Sequence, residues 1–146
     1  MSLYVPRHFQ ARDRTAFARL AHDHPFATLV TPGVAEPLVT HLPLIHVPDR
    51  EPNGTLLGHF ARANPHSRAA AGMESMAIFH GPHAYVSPSW YADPAGAVPT
   101  WNYAVAHAHG TITFDGGTEA APLPKFAPEE LGDCIDCTLC VQVCPT

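Results

Sequence analysis

A chain of 146 residues has room for one domain with a real core, since about 100–200 residues is the usual span of one. Hydrophobic residues make up 46% and charged residues 14%, which excludes a chain too polar and too highly charged to fold. The formal net charge of −5 is the opposite of the basic footprint that a phosphate backbone requires, and it argues against direct nucleic-acid binding.

Sixteen prolines and ten glycines indicate short elements joined by tight turns, a better match to strands than to a helical bundle. No run reaches the eighteen or more apolar residues of a membrane span. The opening MSLYVPRHFQ lacks the apolar centre of a signal peptide, so the expected location is the cytoplasm.

In chain order, the first predicted element is a short amphipathic helix over 13–24. Asp13 is its N-cap, Phe17, Leu20 and Ala21 share one face, and Pro25 ends the run. Strands follow over 26–31 and 38–47, joined by a turn around Pro32-Gly33. In the second, Leu38, Thr40, Leu42 and Leu44 alternate with Val39, His41, Pro43 and Ile45. Asn53-Gly54 is a turn signal before a strand over 55–60. Two further short strands, 76–79 and 84–86, are expected to flank a turn at Gly81-Pro82, and a last one covers 100–114. Six strands with little helix predict a mainly β, α+β domain in the form of a small barrel. Its expected extent is 1–114, followed by a Pro-, Gly- and Ala-rich linker over 115–131 and a cysteine-bearing segment over 132–146.

Two stretches carry the chemistry. In Gly58-His-Phe-Ala-Arg-Ala-Asn-Pro-His66, a strand runs into a helix with Asn64 at the N-cap and Pro65 in the first turn. Free N–H groups and the nearby Arg62 guanidinium would suit a phosphate, making His59, Arg62 and Asn64 candidates. Between Gly81 and Tyr103, Tyr85, Trp90, Tyr91, Trp101 and Tyr103 are interleaved with Ser87, Ser89, Thr100 and Asn102. That mixture suits a planar heteroaromatic ligand held by ring faces and fixed at its edges by polar groups. The pairs His22/His24, His80/His83 and His107/His109 lack the third convergent ligand that a metal centre needs.

The blocks Tyr4-Val-Pro-Arg-His-Phe9, Pro25-Phe-Ala-Thr-Leu-Val-Thr31, Thr40-His-Leu-Pro-Leu44, Gly58-His-Phe-Ala-Arg-Ala-Asn-Pro65, Gly81-Pro-His-Ala-Tyr-Val-Ser-Pro-Ser-Trp-Tyr91 and Val98-Pro-Thr-Trp-Asn-Tyr103 together resemble the FMN-binding negative transcriptional regulators of the PaiB type. The resemblance implies a split β-barrel like that of the pyridoxamine-phosphate oxidases, and a homodimer with FMN near the subunit interface. By position, the phosphate would sit by Arg62 and Asn64, with Thr40, His41 and Leu42 along the flavin and Trp90, Thr100, Trp101 and Asn102 around its ring. The chain leaves the family pattern near Phe114, so the barrel is expected to be incomplete. The implied function is flavin-dependent redox or ligand sensing with a small-molecule or redox partner. The alternative is an FMN-dependent oxidoreductase or an electron-transfer protein, for which no acid–base pair names a catalytic residue.

The last segment, Cys134-Ile-Asp-Cys137-Thr-Leu-Cys140-Val-Gln-Val-Cys144-Pro145, has the spacing of a bacterial 4Fe-4S ferredoxin motif. It resembles the first cluster motif of the polyferredoxins that accompany cbb3-type oxidase assembly. In that pattern Cys134, Cys137 and Cys140 supply three ligands to one cluster and Cys144 ligates another. The readings are a flavin to iron–sulfur fusion, a cluster completed by a partner chain, and a fragment joined by gene fusion or assembly error. The bare motif fits the last best.

Overall fold

The computed structural model describes residues 5–6, 9–11, 14–61 and 63–115, together with the backbone of a strand over 139–145. Its elements are helix α1 (Arg14–Asp23), strands β1 (Phe26–Thr31), β2 (Leu38–Pro43), β3 (Ile45–Val47) and β4 (Thr55–Phe60), helix α2 (Pro65–Ala69), and strands β5 (Glu74–Val86), β6 (Thr100–Asp115) and β7 (Leu139–Pro145). The expected N-cap Asp13 lies outside the described residues.

The strands form one sheet in the order β2-β1-β5-β6-β7-β4-β3, and every pairing is antiparallel. Its two outer strands, β2 and β3, are consecutive in the chain and separated only by Leu44, so the sheet must curl until its edges meet. This is a split barrel. Leu44 is fully buried at the corner, where its N–H donates to the carbonyl of Pro25 at 2.8 Å. Gly58 on β4 allows the seam to close, because a Cβ there would stand 3.0 Å from the Pro43 carbonyl oxygen. The sequence predicts one strand over 38–47; the buried corner at Leu44 divides it in two.

Alternation does the rest. Ala27, Leu29 and Thr31 of β1 face inward, as do Ser75, Ala77 and Phe79 of β5 and Ala108 and Ile112 of β6. Register sets Leu29 beside Ala77, and Ala77 beside Ala108, so this row of the inner wall has one large side chain next to two small ones. Helix α1 lies against β3 and β5. Its Phe17 meets Phe79 edge-on with ring centroids 5.6 Å apart, and it meets His46 at 5.1 Å. Burying a side chain the size of Phe79 contributes about 1.5–3 kcal/mol.

Two expectations are corrected. No turn forms at Gly81-Pro82; β5 is continuous from Glu74 to Val86, with a register shift between His80 and His83. Proline donates nothing to a ladder, but its last neighbour on β1 is already behind it, since that pairing ends at Ala27 opposite Phe79. The turn composition at Gly81-Pro82 thus marks a bulge in a strand paired on one side only. The second correction concerns the cysteine segment. Its residues 139–145 form β7, which lies between β4 and β6, with Val143 in register with the buried Leu56 and Ile112. The expected linker beyond Asp115 lies outside the described residues.

Beyond the barrel, the second half of β5 and the first half of β6 continue as a two-stranded arm, joined through a short 3-10 helix at Pro88–Trp90. None of the helices among the described residues is long and apolar enough to cross a membrane.

Candidate functional site

Inside the barrel near α2, five polar side chains form one connected chain. Asn64 Nδ2 donates to Thr40 Oγ1 at 3.1 Å, and Thr40 Oγ1 lies 2.8 Å from His66 Nδ1. His66 Nε2 lies 2.8 Å from Thr31 Oγ1, which is 2.6 Å from Ser75 Oγ. Thr31, His66 and Ser75 are all buried, whereas Thr40 and Asn64 are half-buried at the outer end. Four separate elements, β1, β2, α2 and β5, are therefore tied together by hydroxyl, amide and imidazole groups where apolar side chains would otherwise pack. Buried polar groups are retained when each has a partner, as here. Burial holds the His66 pKa below its ordinary value, so the ring is neutral at pH 7.

Asn64 caps α2 as the sequence predicts. Its Oδ1 accepts from the His66 N–H at 3.0 Å, and its carbonyl accepts from the Ser67 N–H at 3.1 Å and from the Ser67 hydroxyl at 2.8 Å. The backbone donors expected to be free at this terminus are thus satisfied by the cap itself. What the site offers an anion is instead the half-buried Thr40 hydroxyl and the second hydrogen of Asn64 Nδ2. Two neighbouring donors of this kind fit a phosphate oxygen set.

The other candidates divide. Arg62 lies outside the described residues. Leu42 is 4% exposed and belongs to the core. His41 follows Thr40 in a strand and so occupies the opposite face, where its Nδ1 lies 3.0 Å from Thr28 Oγ1. His59 is half-buried on β4, in register with Cys140. The structure brings Thr40 and Asn64 together and sets His41 apart from them.

Trp90, Thr100, Trp101 and Asn102 are all on or beside the arm. There Trp101 Nε1 donates to His83 Nδ1 at 3.2 Å, and Tyr85 stands between Trp90 and Trp101 with centroid separations of 6.4 and 6.3 Å. Trp90 is 69% exposed, Trp101 54% and Tyr103 66%, a concentration of bare aromatic surface seen nowhere else among the described residues. A cavity of about 360 Å³ at the root of the arm is lined by His80, Gly81, His83, Trp101, Tyr103, Ala104 and Val105. Thr40 is level with Leu29 and Ala77, whereas Trp101 is level with Tyr85. At about 3.3 Å per residue, the two groups are separated by roughly 20–30 Å along β5.

Sequence reasoning missed His66, Thr31 and Ser75. The usable signal was parity: Thr31 and Thr40 fall on the inward, apolar positions of their strands, where an unexplained hydroxyl calls for a buried partner.

Of the cysteine motif, Cys134 and Cys137 lie outside the described residues. Cys140 and Cys144 lie four positions apart on the backbone of β7. Among the described residues no group of three or more His, Cys, Asp or Glu side chains could hold a metal ion.

The family model described as "Putative FMN-binding domain" matches residues 3–123. A Bacillus subtilis relative named "Protease synthase and sporulation protein PAI 2" is 36% identical over 113 residues, covering 77% of this chain and 53% of the relative. Uncharacterized proteins of Aspergillus fumigatus and Emericella nidulans are 34% and 32% identical, covering 55% and 77% of this chain and 39% and 57% of their own lengths. The chain thus spans about half the length of the curated relatives it matches. Among solved structures, a FAD and heme binding protein of Mycobacterium smegmatis superposes with a TM-score of 0.63 at 18% identity, covering 93% of this chain and 68% of that one. A FAD binding protein of the same organism gives 0.54 at 13% identity, covering 92% and 89%. At these identities the likeness is one of fold.

Proposed function

The chain belongs to this family of FMN-binding domains, and we propose that it holds FMN in a composite site built by two copies of itself. The carrying observation is the separation within one chain between the Thr40–Asn64 pair and the arm aromatics, roughly 20–30 Å along β5. A barrel from one protomer and an arm from its partner would bring both groups to one ligand, and would cover the exposed rings of Trp90, Trp101 and Tyr103.

In this reading Thr40 and Asn64, with Arg62 close by in sequence, hold the phosphate. Trp90, Thr100, Trp101 and Asn102 of the partner copy cover the flavin ring and exclude water from it. The bound flavin supplies electron-transfer chemistry, and the protein supplies binding, orientation and shielding. A regulatory role is the finer proposal. It rests on likeness to the PaiB type, and the net charge of −5 favours an effect through the redox or ligand state of the flavin over direct reading of DNA.

The test is complementation. Thr40→Val and Trp101→Ala should each weaken FMN binding by about tenfold or more, the scale of one hydrogen bond to a charged group or one stacking face. Mixing the two variants in equal amounts should then restore one intact site per mixed dimer, and since about half of the dimers are mixed after random exchange, tight FMN binding should return at about a quarter of the wild-type stoichiometry. Two weak variants that stay weak when mixed would show that the two groups do not meet across an interface.

A further inference from the structure

A cavity of about 480 Å³ lies where the start of α1, the loop between β3 and β4, and β6 come together. None of its lining residues belongs to the Thr40–Ser75 chain or to the arm, so the flavin reading makes no use of it. Its walls are of two kinds. Phe17, Ala18, Pro48 and Pro52 supply apolar surface, whereas Arg14, His46, His107 and His109 supply groups that donate hydrogen bonds or carry positive charge. No carboxylate is among the described residues that line it, although the chain as a whole has a formal charge of −5. Arg14 is anchored there, its Nη1 donating to the Pro52 carbonyl at 3.2 Å, which uses one of the N–H groups of its fork. His107 and His109 stand two residues apart on β6 and so share a face. On β3, His46 Nε2 is buried without a hydrogen-bond partner among the described residues, although buried polar groups are normally paired. These imidazoles do not make a metal centre, since no group of three or more His, Cys, Asp or Glu among the described residues could hold an ion. What they can meet together is a larger ligand.

We propose that this cavity is a second ligand site, for a small organic anion: a carboxylate held by Arg14, His107 and His109, on an apolar body that packs against Phe17 and Ala18. The volume is that of an ordinary small-molecule pocket, about 300–1,000 Å³, and the apolar walls would be left wet by a bare inorganic ion. The planar guanidinium fork matches a carboxylate, and hydrogen bonds to a charged acceptor are the strong ones. A bound anion also favours the charged form of the imidazoles beside it. Burial holds the His107 pKa below its ordinary value, and the neighbouring His109 and His80 lower it further. The lining offers no negative charge from α1, the β3–β4 loop or β6 to offset that repulsion, so the ligand supplies it. A carboxylate is already ionised above about pH 5.5, and a proton taken up by His107 on binding makes affinity rise as pH falls from about 7.5 to about 6.

Titrations of the full chain with benzoate, benzamide and inorganic phosphate, followed through the imidazole ¹H–¹³C signals, test it. Benzoate should shift the His107 and His109 signals and bind about tenfold tighter or more than benzamide, its uncharged isostere. It should also bind about threefold tighter or more at about pH 6 than at about pH 7.5. The double change Arg14→Gln with His109→Gln should lower benzoate affinity by about tenfold, the scale of a lost hydrogen bond to a charged group, and leave FMN affinity unchanged. Should that variant fail to fold, Ala18→Phe fills the cavity from the α1 side, and the same loss is expected. Equal binding of benzoate and benzamide, or inorganic phosphate bound as tightly as benzoate, overturns the organic anion. Displacement of benzoate by FMN would make the cavity part of the flavin site and overturns a second one. Histidine signals that stay in place with about 20 mM benzoate, where even millimolar affinity would fill the site, overturn the proposal outright. A wild type that binds benzoate but no FMN leaves it standing and removes only the flavin reading.

Discussion

Strands β5 and β6 pass through two environments, and their residues follow opposite rules in each. From Ser75 to Phe79 the strand alternates buried and half-buried positions, with Ser75, Ala77 and Phe79 at 4% exposure or less. Past the register shift, from His83 to Tyr85 on one strand and from Thr100 to Tyr103 on the other, every position is exposed on both faces. Yet the pairing is continuous, and the arm is richer in aromatic surface than the barrel. A strand pair of that kind is marginal by itself in water, so its rings are better explained by what they meet than by what they stabilise within the chain. The barrel fixes the fold; the arm presents chemistry.

The largest expected effect lies on the barrel side. Phe79→Ala removes a fully buried ring and the edge-on contact with Phe17, and should cost about 3–5 kcal/mol in urea unfolding. If the loss were under about 1 kcal/mol, the inward side of β5 would be as dispensable as the arm and the contrast would fail. A smaller loss is expected on acidification. Burial holds the pKa values of His46, His66 and His107 below the ordinary histidine value, aided for His107 by the neighbouring His109 and His80. Below about pH 6.5 the unfolded chain takes up protons that the folded barrel resists, so stability should be level above about pH 7.5 and decline as pH falls through 6.5. His66→Asn should flatten part of that decline; an unchanged profile would show that His66 is not resisting protonation in the fold.

Much of this division was legible in the sequence because it is local. The turn signals at Pro32-Gly33 and Asn53-Gly54 bounded β1 over 26–31 and β4 over 55–60, and the apolar spacing of Phe17, Leu20 and Ala21 gave α1 and its buried face. Asn53-Gly54 marked its turn, and Gly54 does adopt φ +82°. What failed was non-local. Gly81-Pro82 has turn composition, and only knowledge that β1 ends at Ala27 opposite Phe79 shows why a proline is tolerated there in a continuing strand. The His66 chain joins residues up to 44 positions apart, which no window of sequence brings together. The grouping of Thr40 with His41 and Leu42 was carried by the family resemblance, and the two-residue period of a strand sets Thr40 and His41 on opposite faces. In the same way the cysteine spacing gave a ligand motif, whereas the place of 139–145 between β4 and β6 depends on edges that exist only once the barrel has formed.

The smallest expected effect on stability is the most informative about the arm. The double change Trp90→Ala with Trp101→Ala removes two rings that are 69% and 54% exposed and whose described contacts are with Tyr85 and His83. Surface changes of this kind usually alter unfolding free energy by no more than about 0.5 kcal/mol, so the urea midpoint of the monomeric protein should hardly move. Sedimentation should behave differently. If the arm docks on a second copy, losing two aromatic anchors shifts the monomer–dimer equilibrium by about tenfold or more towards monomer, because aromatic residues at an interface centre carry a disproportionate share of its energy. A double variant that unfolds early would mean the arm is part of the barrel's core after all. One that folds normally and associates as tightly as wild type would leave the aromatic surface facing some other partner, and the composite site would have to be abandoned for one confined to a single chain.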